Sequence, residues 1–196
     1  MASAVYRIDW TGVQAPIYMP SCGFTYTANA AEARSQGVEF ESSLYFDTGT
    51  VLTFNASYTD SKMLSDVPPI GARKGDDMTM VPKYNAYLAL DQEFDLFGRQ
   101  AFARIDLAAY GAYKTHFNVR DEDRSPAYRT VNLSGRMHLN DHAVLSLHVS
   151  NLFNEAYTTF RAARRRIPTG VDTRLPLHEI YGAERAFTVR FDYSFR

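Results

Sequence analysis

Alternation with a period of two residues constrains this chain more than any other feature. It recurs eight times, at roughly 4–11, 37–46, 51–59, 84–96, 101–114, 130–139, 143–150 and 186–195, and helical periodicity is hard to find anywhere. Successive side chains of a strand point to opposite faces. In the last segment Phe187, Val189, Phe191, Tyr193 and Phe195 therefore share one face, and Thr188, Arg190, Asp192 and Ser194 the other. The segment 37–46 sets Val38, Phe40, Leu44 and Phe46 against Glu39 and Glu41. The pattern predicts an all-β antiparallel meander of about eight strands, with the second strand starting as early as the stretch FTYTANA.

Connection lengths carry a second, independent signal. DTGT (47–50), FG (97–98) and NDH (140–142) are tight, whereas the segments near 12–22, 60–80, 115–127 and 156–184 are long. Tight turns on one rim and long loops on the other mark a transmembrane β-barrel of the outer-membrane type. Parity agrees, because residues opposed across an antiparallel pair share a face. Even-numbered apolar positions on both sides of Asp47-Thr48-Gly49 require an odd loop, with Gly49 left-handed, and the even-to-odd switch across Phe97-Gly98 requires an even one.

A soluble sandwich also alternates, so the composition of the two faces has to decide. On the eight segments the apolar face, read from each segment alone, carries no Asp, Glu, Lys or Arg, and Ser42 and Gln92 are its notable polar members. In this reading Arg7 and Asp9 lie on the wet face with Glu39, Arg104, Arg136 and Asp192, while Tyr6, Trp10, Tyr58, Tyr84 and Tyr113 form an outer aromatic girdle. Phe46, Phe94, Tyr193 and Phe195 form the inner girdle. An Arg or Lys on such a face costs about 2–4 kcal/mol at a bilayer midplane, so the tally favours lipid over a protein core.

Charge and cysteine content narrow the field further. The balance of 21 Lys and Arg against 22 Asp and Glu gives no basic surface for nucleic acid. Cys22, the one cysteine, cannot form an internal disulfide. Residues 1–20 lack a signal-peptide pattern, which reads as either a cytosolic chain or one whose beginning is missing.

Three stretches carry a family resemblance. VSNLFNEAY (149–157) resembles the Asn-Leu-Phe-Asp/Asn-x-x-Tyr signature of TonB-dependent outer-membrane receptors, with Asn151, Leu152, Phe153 and Tyr157 at the defining positions. YTANAAEARSQGVEFE (26–41), with Gly37 and Glu39, is similar to one of their strands, and YGAERAFTVRFDYSF (181–195) to their closing strand. The resemblance implies a 22-stranded barrel plugged by an N-terminal domain that meets TonB through a periplasmic box. It implies that residues 1–196 are the C-terminal part of such a barrel, beginning inside a strand, with plug, TonB box and the remaining strands missing. The implied function is uptake of a ferric siderophore or a similar scarce nutrient across the bacterial outer membrane. The implied partners are outer-membrane lipid and lipopolysaccharide, with TonB engaged only through the missing part. The motif residues read as architectural, Leu152 and Phe153 supporting packing where the strand 143–150 leaves the wall.

Chemistry-bearing clusters are few. Arg161, Arg164, Arg165 and Arg166 place four guanidiniums in the last outer loop, suited to a carboxylate or phosphate. The five histidines show no metal-ligand spacing, so no metal or other cofactor is expected. The turn at 140–142 places His148 opposite Ser134, but no carboxylate is positioned to orient the imidazole, so no enzyme is expected. Two other readings stay open. One is a complete small eight-stranded outer-membrane barrel with a structural or adhesive role, and the other is a soluble β-barrel for an apolar ligand.

Overall fold

The computed structural model describes residues 1–19, 21–117, 124–162 and 178–195. Among these residues ten strands form in chain order: β1 (Ala2–Met19), β2 (Phe24–Phe46), β3 (Thr50–Met63), β4 (Tyr84–Leu96), β5 (Arg99–Tyr110), β6 (Tyr128–His138), β7 (Ala143–Ser150), β8 (Thr158–Ala162), β9 (His178–Tyr181) and β10 (Ala186–Tyr193). Eight of them make one antiparallel sheet in the order β1-β2-β3-β4-β5-β6-β7-β10, and β8 and β9 pair separately. The expected meander is present. The sheet has two edges, β1 and β10, which do not pair with each other. Among the described residues no helix is long and apolar enough to cross a membrane, which says nothing of strands.

Turn chemistry follows parity. Phe46 pairs with Thr50 across a three-residue turn in which Gly49 adopts φ 76°. Leu96 pairs with Arg99 across Phe97 (φ 55°) and Gly98 (φ 73°), two left-handed residues as a type I′ hairpin requires. At the other rim two expectations fail. Residues 12–19 are not an open loop but the outer half of β1, which pairs out to Met19↔Phe24, with a bulge where Gly12 stands at φ 72°. β5 stops at Tyr110 rather than near 114, and Tyr113 instead bridges to Ser125.

The register sorts the side chains into two faces. Leu52–Leu90–Ile105–Leu133–Val149–Phe187 runs across six strands as an apolar row, with Val38, Phe40, Phe54, Leu88, Leu147, Val189 and Phe191 on the same face. These large side chains are bare, Phe187 70 % and Phe191 60 % accessible. Among the described residues no second layer covers them. Such a sheet is stable only against an apolar solvent, since exposed apolar patches of this extent do not persist in water. On β2 the apolar stretch runs from Phe46 to Val38, which at about 3.3 Å per residue covers about 26 Å of strand, enough for the apolar band of an outer-membrane barrel. Gln92, polar on this face, is satisfied at the turn end, where its Nε2 donates to the Thr48 carbonyl at 3.0 Å and its Oε1 accepts from Thr50 at 2.5 Å.

β1 faces opposite to the expectation. Tyr6 pairs with Gly37 and Trp10 with Ala33, on the polar face with Glu39, whereas Arg7 and Asp9 pair with Gln36 and Arg34, on the face of Val38 and Phe40. β1 is apolar on both sides (Val5, Ile8), so its own alternation does not fix its orientation; pairing with β2 does. The two charges remain compatible with lipid because they lie beyond Val38, past the end of the apolar stretch.

Among the described residues, the buried hydrophobic cluster lies at the loop rim. Ala31, Ala33, Met63, Val67 and Ala72 form the buried cluster, with Val13, Ile70, Met78 and Phe117 against it. There the β3–β4 connection, including the 3-10 turn Pro68–Ile70, folds onto the polar side of β2 and β3.

Candidate functional site

The polar face is the surface on which function can be built. Across β4 and β5 the register opposes Asp91 and Arg104, and the guanidinium grips the carboxylate through both Nε and Nη2. A neighbouring row opposes Asp106 and Asn132, whose Nδ2 donates to the carboxylate at 2.8 Å. Ser134 and His148 lie opposite each other with Oγ and Nδ1 2.8 Å apart, and Arg190 donates to Asp192 at 2.8 Å. The guanidiniums of Arg104 and Arg136 flank Phe102 at 6.0 and 5.4 Å from its ring centre. The face is thus a lattice of paired charges and amides, suited to water or to a polar filling. Among the described residues no carboxylate is hydrogen-bonded to His148, and no three His, Cys, Asp or Glu cluster to hold a metal.

Asn151 organises the loop end of this face. It sits at φ 48°, which Asn tolerates better than most residues, and this is where the β7 alternation breaks. The residue is 4 % accessible, and both polar atoms of its side chain are engaged. Nδ2 donates to the carbonyls of Glu155 (2.9 Å) and Ala183 (3.0 Å), and Oδ1 accepts from the Glu155 amide (3.1 Å). Its own amide donates to Asn132 Oδ1 at 3.0 Å, which links the clamp to the Asp106 row. Asn154 repeats the device at φ 53°, its Oδ1 accepting from the Arg185 amide at 2.8 Å. One motif therefore holds the exit of β7 and the entry of β10 together.

Tyr157 extends the motif sideways. Its ring stacks on Tyr128 at 5.0 Å, and Tyr128 on Tyr110 at 4.9 Å. Gly182 makes room for it, since a Cβ there would lie 2.0 Å from the Tyr157 ring. Gly37 has the same role on β2. A Cβ there would meet the Tyr58 carbonyl at 2.2 Å and the Tyr6 ring at 2.9 Å, and with the space open Tyr6 crosses Gly37 to bond Thr59 Oγ1 at 2.8 Å. Glu39, two residues on, lies exposed on the polar face opposite Ala4 and Ser57. Leu152 is half-buried with its amide on the Val131 carbonyl at 2.8 Å, whereas Phe153 stays 66 % accessible.

Of the four loop arginines, Arg164, Arg165 and Arg166 lie outside the described residues. Arg161 is on β8 and engaged: Nε is 2.5 Å from Glu179 Oε1, its amide donates to Ser125 Oγ at 2.7 Å, and its carbonyl accepts from Thr115 at 2.9 Å. The Tyr181 hydroxyl, donating at 2.5 Å, and then the Arg161 guanidinium hold the Glu179 carboxyl below the usual range. Tyr113, expected at the lipid surface, instead donates to the Thr159 carbonyl at 2.8 Å and ties β8 to the loop rim. The Asn151 network and the two glycine gaps were not readable as contacts from sequence, although the Asn-Leu-Phe-Asn spacing marked the place.

A sheet bare and apolar on one side, hydrogen-bonded and charged on the other, with tight turns at one rim, is a piece of an outer-membrane β-barrel wall. The chain belongs to the TonB dependent receptor-like β-barrel family, whose model matches residues 2–152. It is 24 % identical over 144 residues to the pesticin receptor of Yersinia enterocolitica, covering 74 % of this chain and 21 % of that protein. It is 30 % identical over 138 residues to the metal-pseudopaline receptor CntO of Pseudomonas aeruginosa, covering 67 % of this chain and 18 % of that one. The ferric yersiniabactin uptake receptor FyuA of Yersinia pestis superposes with a TM-score of 0.78 at 18 % identity, over 99 % of this chain and 27 % of that chain. The ferric preacinetobactin receptor BauA of Acinetobacter baumannii superposes with a TM-score of 0.68 at 17 % identity, over 98 % and 27 %. The chain thus spans about a fifth of the length of the curated relatives it matches. Barrels of this family are bacterial outer-membrane proteins, so the apolar face is the lipid face and the polar one faces the lumen.

Proposed function

We propose that these residues are part of the barrel wall of an outer-membrane active-transport receptor, one that takes up a ferric siderophore or a similar scarce nutrient with energy supplied through TonB. The carrying observation is the lumen face. Its rows of paired charges and amides are built to face a polar filling, and its two edge strands leave backbone groups that further wall must pair. A complete eight-stranded barrel would need β1 to pair with β10, and in this sheet both are edges. The relatives are receptors, and Ser134–His148 lacks a third group to orient the imidazole, so the reading is transport rather than catalysis. The polar Arg161 hairpin and its neighbours Arg164, Arg165 and Arg166 are the proposed contact for an anionic cargo at the outer mouth.

The test is growth and uptake of iron-loaded siderophores in a strain with the locus deleted, compared with one lacking TonB. Loss of uptake of the same compound in both supports the proposal. Uptake that persists without TonB removes the energisation, and a deletion with no uptake defect across hydroxamate, catecholate and carboxylate siderophores removes the transport reading.

A further inference from the structure

Three tyrosines gather at the loop end of the lumen face. Tyr110 of β5, Tyr128 of β6 and Tyr157 past β7 stack in sequence, with ring centres 4.9 and 5.0 Å apart and planes tilted by 27° and 22°. Gly182 backs the stack at Tyr157 and leaves no room there for even a Cβ. The opposite end is Tyr110, 40 % accessible. Past it the same row continues as Asn85, Ser57 and Glu39, and the next row toward the tight turns opposes Ala108 to Tyr87. Beside the last ring of the stack the wall therefore drops to small side chains, and Tyr87 closes this step from below.

One atom in the step is unaccounted for. Asn85 Oδ1 is buried and has no hydrogen-bond partner among the described residues. An unpaired buried acceptor opposes folding, so a wall that keeps one has another use for it. The charges on the tight-turn side of the step are engaged, Arg104 with Asp91 and Asp106 with Asn132, which leaves ring faces and a neutral acceptor as the chemistry on offer.

We infer that the step beside Tyr110 seats an aryl arm of the cargo, a phenolate or catecholate arm of an iron chelate, as a fourth ring of the stack, with an amide N–H of that arm donated to Asn85 Oδ1. Aromatic pairs favour offset, near-parallel faces of the kind the three tyrosines already adopt. Asn85 Oδ1 is covered as it stands, so the arm reaches it by turning a neighbouring side chain aside. A trihydroxamate or a citrate chelate has no ring to place there. The anionic, metal-bearing end of an aryl chelate lies toward the hairpin of Arg161, whose first strand begins one residue past Tyr157. The inference rests on the transport reading and names the class of its cargo.

The test uses the receptor as extracted from its own outer membrane, with affinity read by quenching of intrinsic fluorescence, and uptake of radioactive iron in the strain that carries the locus. The probes are ferric complexes of a dihydroxybenzoyl chelator, a salicyl chelator, a linear trihydroxamate and citrate. An aryl complex should bind at least about tenfold better than the trihydroxamate and citrate complexes, through stacking and the added hydrogen bond. Tyr110→Ala should weaken the aryl complex about threefold to tenfold, and Tyr110→Phe, which keeps the ring, should restore it. Asn85→Leu should weaken it severalfold while the denaturant midpoint holds or rises, because the substitution removes an unpaired acceptor. Tyr45→Ala, on the lumen face at the tight-turn rim, should change nothing. Unchanged aryl affinity in Tyr110→Ala overturns the seat, and so does an equal loss in Tyr45→Ala. If Tyr110→Ala does not fold, the selectivity of the unsubstituted receptor and Asn85→Leu decide. Locus-dependent uptake of the trihydroxamate or citrate complex alone leaves transport standing and overturns the aryl seat, whereas no locus-dependent uptake of any iron complex defeats both.

Discussion

The two halves of β2 and β3 obey different solvents. Between the tight turn and Tyr58 large side chains stand bare, Phe40 38 % and Phe54 40 % accessible; beyond it small or slender ones disappear, Ala33 to 0 % and Met63 to 2 %. The first half is solvated by hydrocarbon and has no protein core. The second leaves the bilayer, so it must bury apolar surface against its own loop, and the β3–β4 connection supplies the cover. One strand pair thus carries two rules of packing, separated at the aromatic level.

The sharpest break of that comparison is at the gap that keeps the two halves continuous. Gly37→Val forces side-chain atoms against the Tyr58 carbonyl and the Tyr6 ring, and should cost about 3 kcal/mol or more, as severe overpacking does. Unfolding by denaturant in lipid vesicles, read by electrophoretic mobility, measures it, and a wild-type midpoint would show that the close approach is not rigid. Next is the solvent of the membrane half. Phe54→Arg should destabilise by about 2–4 kcal/mol, whereas Ser57→Arg on the lumen face should cost less than about 1 kcal/mol. Equal costs would mean that the two faces meet the same medium.

At the loop rim, Asn151→Ala leaves the carbonyls of Glu155 and Ala183 and the Glu155 amide without their partner and puts alanine at positive φ. A fully buried stranded group costs about 1–3 kcal/mol; these bonds are only part-buried, and access of water to the stranded groups keeps the total to about 2 kcal/mol. Hydrogen exchange should locate the loss at 151–157 and 182–186, leaving the membrane half protected. The smallest effect is that of pH on the β3–β4 loop. Burial raises the Asp77 carboxyl, but Lys62 and Lys83 together outweigh it and hold the group below its usual value of 3.8. Its contribution is complete above about pH 4 and is lost as pH falls through the lowered value. Protection of the loop amides, relative to their intrinsic exchange rates, should fall only in that acid window, and Asp77→Asn should abolish this pH dependence.

Sequence alone carried the eight strands of the main sheet because alternation is a local property, and the tight turns because loop parity links neighbouring faces, but it read the segment 156–184 as a long loop and missed the short β8–β9 pair. Gly49 and Phe97-Gly98 behave as that arithmetic requires. The spacing of Asn151, Leu152, Phe153, Asn154 and Tyr157 also marked the clamp. What those residues do was not legible, since their partners Asn132, Ala183, Tyr128 and Gly182 are remote in sequence. The outer half of β1 was missed for a related reason: Gln14-Ala15-Pro16 reads as a loop until β2 lies beside it.

The amino-acid order by itself determined that this chain is a two-faced sheet with an apolar side too extensive for water. Only the tertiary structure decided which way β1 faces, because a strand with Val5 and Ile8 on opposite sides has two nearly equivalent orientations and hydrogen-bonded register with β2 selects one. That selection puts Arg7 and Asp9 toward the leaflet and Tyr6 across Gly37, through contacts between residues 25 and 53 positions apart.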